Sequence, residues 1–193
     1  MTILYLHGFR SSPGSFKARL VGARMAALGR PAELVCPQLP PSPREAIALA
    51  LSLVDGVPRD DLAIIGSSLG GYYATWLAEK LGCRAVLLNP AITPLDSLER
   101  HVGVTTDWHS GAPFEFKRAY IDELGVLATP QVTRPERYFL IAASGDEVLD
   151  YHTMVAHYPG ARQHVIAGSD HGISDFAQYV DDVLAFCLRK AAP

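Results

Sequence analysis

Gly66-Ser67-Ser68-Leu69-Gly70, a serine spaced between two glycines, is the segment of this chain best suited to chemistry. It follows the apolar run from Leu62 and precedes a helical pattern from Leu69 to Leu81, so it reads as strand, sharp turn and helix. A serine projected from such a turn sits in a strained backbone conformation. Glycines two before and two after relieve the crowding of neighbouring chain. The helix directs its N-terminal N–H groups and positive dipole end to where an oxyanion would form. The chemistry this arrangement suits is attack by the Ser68 hydroxyl on a carbonyl. A phosphate-cradling turn is the competing reading. However, Gly70-Gly71-Tyr72 lacks the Gly-Lys-Ser/Thr ending of a Walker loop, and the segment misses the G-x-G-x-x-G spacing.

A serine needs a base, and the base needs an orienting acid. Of the seven histidines, His171 lies just past the last predicted strand, in Gly168-Ser169-Asp170-His171-Gly172. Loops at the carboxyl ends of parallel strands are where such enzymes place their chemistry. His152, His157 and His164 read as surface or packing residues, and His101 and His109 fall in an irregular segment. His7 ends the first strand and reads as holding its loop in place. Asp146 follows the turn glycine Gly145 at the end of another strand and is the expected acid. Glu147 and Asp150 are the alternatives, and each of the three could instead be a solvated loop acid or a helix cap. Two backbone N–H groups match an oxyanion hole: that of Leu69, after the serine, and that of Phe9, in the loop after strand one.

Short apolar runs alternate with helical patterns, which predicts an α/β domain with a mainly parallel sheet. The strand candidates are Ile3–His7, Glu33–Cys36, Leu62–Gly66, Ala85–Asn89, Tyr138–Ala143 and Gln163–Ala167. Most are continuously hydrophobic, as strands covered on both faces are. Helices are expected over Ser15–Leu28, from Ser42-Pro43-Arg44-Glu45 (capping-box spacing), over Leu69–Leu81 before Gly82, and near Phe176–Arg189. The stretch from Pro90 to Pro135 carries Trp108, Phe114, Phe116 and Tyr120 among Pro, Gly and Thr. A connection that long either covers a site or is a surface excursion with two short helices.

The composition narrows the classes. With 193 residues the chain suits one domain, 1–193, with a sizeable core. A net charge of −3 and no basic run give no reason to expect nucleic acid or an anionic membrane surface. At 49% hydrophobic the chain is not disordered, and no apolar run is long enough to span a membrane. The N-terminus has no basic region or cleavage site. Three scattered cysteines, Cys36, Cys83 and Cys187, suit buried thiols in a reducing compartment. The expected location is cytoplasmic.

Ser68, Asp146 and His171 stand in the chain order of α/β-hydrolases. The residues resemble that superfamily, and more narrowly its small bacterial YqiA-type esterases. The resemblance is carried by Leu4-Tyr5-Leu6-His7-Gly8-Phe9, Ser11-Ser12-Pro13, Pro37-Gln38-Leu39-Pro40-Pro41, Gly66 through Leu77, Asn89-Pro90-Ala91 and Gly145 through Tyr151. It covers essentially the whole chain. It implies a compact α/β-hydrolase fold of about six strands, with segment 90–135 as the cover. It also implies a serine esterase acting on small acyl esters through a covalent acyl-enzyme, with no cofactor and no metal. Ser68 would be the nucleophile, His171 the base, Asp146 the acid, and Phe9 and Leu69 the oxyanion donors. The alternatives are an acyl-CoA thioesterase or a serine peptidase using the same three residues, or a non-catalytic binding protein on the same fold. Acyl length and oligomeric state are not encoded legibly.

Overall fold

A computed structural model describes residues 1–108 and 111–189. Its elements run β1 (Thr2–Leu6), α1 (Phe16–Ala27), β2 (Leu34–Val35), α2 (Pro43–Leu53), β3 (Leu62–Ser67), α3 (Leu69–Leu81), β4 (Arg84–Leu88), α4 (Pro94–Glu99), β5 (Gly103–Thr106), β6 (Pro113–Phe116), α5 (Ala119–Val126), β7 (Tyr138–Ala143), α6 (Tyr151–His157), β8 (Arg162–Ile166) and α7 (Val180–Leu188). Six of the strands form one sheet in the order β2-β1-β3-β4-β7-β8, every neighbouring pair parallel. His109 lies outside the described residues.

The continuous apolar strands were expected to be covered on both faces, and they are. Every residue of β3 and β7 is buried, with alternate side chains entering two separate cores. One core gathers Leu4, Leu6, Ile64, Leu87 and Leu140 with α2, α3 and α5. The other gathers Ile3, Tyr5, Ile65, Val86 and Phe139 with α1 and α7. The β3–α3–β4 unit at the centre therefore has both sheet faces packed, which gives the turn between β3 and α3 a rigid base.

Some local expectations needed correction. The Ser42 hydroxyl caps α2 by accepting from the Glu45 N–H at 3.2 Å. The reciprocal bond of a capping box is absent among the described residues. Glu123 of α5 takes that place, accepting from the Ser42 hydroxyl at 2.7 Å and the Arg44 N–H at 3.0 Å. A carboxylate there satisfies an orphan helix donor and complements the dipole. The last helix is broken: a 3-10 turn over Phe176–Gln178 precedes α7. A tighter turn still keeps Phe176 on the buried face, so the apolar spacing runs across the break. Segment 90–135 contains the two short helices α4 and α5, and also an unforeseen antiparallel hairpin, β5–β6. Cys83 and Cys187 are buried, but Cys36 is only partly so. Burial pushes their thiols up to about 12, 12 and 11 respectively, which leaves them poor nucleophiles. No helix among the described residues is long and apolar enough to cross a membrane.

Candidate active site

The turn between β3 and α3 has the strain its sequence implied. Ser68 adopts φ 55° and ψ −121°, a left-handed conformation rarely taken by residues with a side chain. Its backbone is held on both sides, donating to the Leu88 carbonyl at 3.1 Å and accepting from the Ala91 N–H at 3.0 Å. Gly66 and Gly70 face each other across the turn. A Cβ on Gly66 would stand 2.3 Å from the Gly70 carbonyl oxygen, and one on Gly70 only 2.0 Å from the Leu6 carbonyl oxygen. The glycines are needed because backbone occupies the space.

His171 meets this turn from the loop after β8. Its Nε2 lies 3.1 Å from Ser68 Oγ, and its Nδ1 lies 2.8 Å from Asp146 Oδ2. An ionised carboxylate can only accept, so Nδ1 carries the proton and Nε2 is left to accept from the serine hydroxyl. Burial alone would raise the Asp146 carboxyl. The His171 ring, through its hydrogen bond and charge, together with the Leu149 and Val148 N–H groups, outweighs this and holds it below the ordinary range. Both N–H groups lie 2.8 Å from Oδ1, so the carboxylate is fixed as well as charged.

Of the three acids considered, Asp146 is the one that reaches the imidazole. Glu147 accepts the backbone N–H of His171 at 3.0 Å. Asp150 caps α6, accepting the His152 N–H at 2.9 Å. His7 is buried behind the first strand, and its Nε2 accepts the Leu39 N–H at 3.1 Å. That bond pins the loop after β1 to the Pro37–Pro41 segment. His152 pairs with Asp150, and His157 and His164 pack against Tyr158 and Tyr179. His101 packs on the ring of Phe9.

The backbone N–H groups of Phe9 and Leu69 donate to no other group among the described residues, and both residues line the cavity that holds Ser68 and His171. The cavity is about 450 Å³. A second cavity, of about 520 Å³, shares the Phe9 loop and Leu69 and runs toward Gln38, Tyr73 and Phe114. The Phe9 loop is strapped to the hairpin. The guanidinium of Arg10 donates to the Thr106 carbonyl at 2.6 Å and hydroxyl at 2.9 Å, and its carbonyl accepts the Trp108 N–H at 2.9 Å. No three His, Cys, Asp or Glu side chains among the described residues are grouped to hold a metal ion.

Residues 2–188 match the family model described as "Uncharacterised protein family (UPF0227)". The chain belongs to the UPF0227 family. This agrees with the YqiA-type α/β-hydrolase resemblance read from the sequence. Solved structures place the UPF0227 chain in the α/β-hydrolase fold. A protein of Agrobacterium vitis S4 described as a hydrolase superposes with a TM-score of 0.73 at 19% identity, over 96% of this chain and 87% of that one. Mouse alpha/beta hydrolase domain-containing protein 10 gives 0.70 at 18% identity, over 95% and 89%. Est1E of Butyrivibrio proteoclasticus, with ferulic acid bound, gives 0.67 at 13% identity, over 97% and 89%.

Two residues of the UPF0227 chain that touch the His171 loop were not picked out from the sequence. Asn89, fully buried and at φ 43°, ends β4. Its amide donates to the carbonyls of Asp170 at 3.1 Å and His171 at 3.0 Å, while its oxygen accepts the Ala143 N–H at 2.7 Å. Lys17 Nζ donates to the Gly172 carbonyl at 2.7 Å. Carbonyls 170 to 172 are thus all engaged by side chains from elsewhere in the fold. The signal for Asn89 was a polar residue closing an otherwise apolar strand just before proline.

Proposed function

We propose that this protein is a serine esterase hydrolysing small acyl esters through a covalent acyl-enzyme. The observation that carries the reading is the Ser68–His171–Asp146 relay, with links of 3.1 and 2.8 Å. In this reading Ser68 Oγ attacks the acyl carbonyl as Nε2 takes its proton. The Phe9 and Leu69 N–H groups receive the developing oxyanion, a contribution of ~3 kcal/mol per donor in comparable sites. Nε2 then returns the proton to the departing alkoxide, and water repeats the cycle to release the acid. Asp146 keeps the imidazole in its tautomer and stabilises the cation that forms. The ferulic acid bound to Est1E and the lipolytic activity named for LipS and LipT are consistent with carbonyl chemistry at such a site.

Hydrolysis of p-nitrophenyl esters of graded chain length, with mass-spectrometric location of a fluorophosphonate label, tests this reading. Turnover with the label on Ser68 is expected. Intact protein that neither turns over nor labels sinks it.

Asp146→Asn is expected to reduce kcat by ~10⁴-fold, because an amide can donate to Nδ1 and favour the wrong tautomer. The same variant has a stability signature. The folded carboxyl sits below its ordinary value of 3.8, so the carboxylate contributes stability above that pH and loses it as pH falls through the depressed value. Acid denaturation of wild type should therefore contain a component that Asp146→Asn lacks. Superimposable acid limbs would refute it.

Asn89→Gly retains the left-handed conformation without strain but deletes the bridge to the His171 loop. It is expected to lower kcat by roughly 10–100-fold with KM little changed, the size of effect caused by misplacing a catalytic group. Unaltered kcat at reduced Tm would make Asn89 a folding residue only.

A further inference from the structure

The cavity that holds Ser68 has a polar wall that the relay does not use. Tyr5 is 1% exposed, and among the described residues its hydroxyl has only the Ser15 and Ser67 hydroxyls beside it, neither at full hydrogen-bond geometry. An orphan phenol in a folded interior is uncommon, because a buried donor without an acceptor keeps its desolvation cost. Ser15 stands at the N-cap of α1, yet its side chain makes no capping bond, and no acidic residue follows in the first turn. The first N–H groups of a twelve-residue helix therefore lack both a capping acceptor and a neutralising charge.

Lys17, in that first turn, is 9% exposed. Its ammonium has one good bond, to the Gly172 carbonyl, and one long one of 3.5 Å to that of His171. It makes no ion pair with any described residue; Asp170 and Asp146 act on it only from a distance. Burial pulls it down to about 8, so it is still mainly charged at neutral pH. Tyr5, Ser15, Lys17 and Ser67 all line the cavity of Ser68 and His171, together with Arg10 and Arg100, and no aspartate or glutamate among the described residues lines it.

We propose that the Tyr5, Ser15 and Ser67 hydroxyls, the Lys17 ammonium and the N-terminus of α1 form a subsite for a carboxylate carried by the ester substrate. It rests on the serine-esterase reading and names the substrate class: esters with one negative charge near the scissile bond. Such an anion would accept from the orphan phenol, cap the helix and pair with the buried ammonium. A single charge fits better than a phosphate dianion, because one ammonium supplies the balance and the two aspartates nearby oppose a second charge.

The test uses matched esters followed by proton release. Monomethyl succinate against methyl pentanoate places the carboxylate on the acyl side; acetoxyacetate against propyl acetate places it on the alcohol side. Wild type is expected to prefer one charged ester at least tenfold in kcat/KM, and the better pair identifies the side. That ratio should fall at least tenfold in Lys17→Met and at least threefold in Tyr5→Phe. The second variant removes a single hydroxyl and retains the ring, so it keeps the test decisive if Lys17→Met does not fold. A ratio near one in wild type, or a ratio unchanged in the folded variants, overturns the subsite while leaving the esterase reading intact. Wild type inert to all four esters and to fluorophosphonate overturns the esterase reading instead. The carboxylate site is then decided by succinate: a rise in wild-type Tm that Tyr5→Phe or Lys17→Met diminishes supports it, and any other pattern rejects it.

Discussion

If the proposed function holds, alanine at position 68 is expected to lower kcat by roughly 10⁶-fold, comparable to the loss of the nucleophile in a serine hydrolase. The expectation follows from how few alternatives the cavity offers. His171 Nε2 points at the Ser68 hydroxyl, and without it the imidazole could act only on water, lacking a covalent path. Residual activity of ~10³–10⁴-fold over water would come from the oxyanion donors and substrate binding. The fold should survive, since Ser68 is held through its backbone to Leu88 and Ala91 and alanine retains those bonds. The check pairs ester kinetics and fluorophosphonate labelling with a thermal melt. Labelling of the variant at the wild-type rate would move the nucleophile elsewhere.

Gly70→Ala is expected to be the most damaging single methyl in the molecule. Its Cβ would lie 2.0 Å from the Leu6 carbonyl oxygen, 2.6 Å from its carbon and 2.7 Å from the His7 carbonyl oxygen. All three are backbone atoms of β1 and the donor loop, so no side chain can swing aside. Either α3 or β1 must shift; β1 is packed on both faces and α3 is buried along most of its length. Overpacking typically costs ~1–3 kcal/mol, and an immovable neighbour puts this case at or above the top of that range. At ~2–4 °C per kcal/mol for a chain of this size, Tm should drop by ~6 °C or more, with activity lost because Phe9 and Leu69 move apart. A melt within a degree of wild type would mean that the turn is far softer than its contacts imply.

The main sheet was legible because its strands are covered on both faces, so β3 and β7 read as unbroken apolar runs whatever their partners. The hairpin β5–β6 was not. Its four-residue strands have half-exposed alternation, and Val104 is 81% exposed, so no run stood out from the loop composition around it. The candidate residues Ser68, Asp146 and His171 could be named because each lies in the turn or loop that follows a strand, and the structure brings them within hydrogen-bonding reach. Choosing among Asp146, Glu147 and Asp150 depended on which side of a tight turn faces the imidazole, and neighbouring positions do not record that. The roles of Asn89, Lys17 and Glu123 were hidden for a different reason. Each acts on backbone groups 79 to 155 positions away, and an isolated polar residue carries no local pattern announcing a distant partner.

The strap from Arg10 to Thr106 and Trp108 binds the β5–β6 hairpin to the very loop that presents the Phe9 amide. Whatever displaces that hairpin, a bulky acyl tail or an inserted residue, would also drag the Phe9 amide, the proposed oxyanion donor, off its mark. Selectivity for substrate bulk should accordingly register as slower turnover of misfitting esters more than as weaker capture, since poor fit and poor catalysis share one mechanical link.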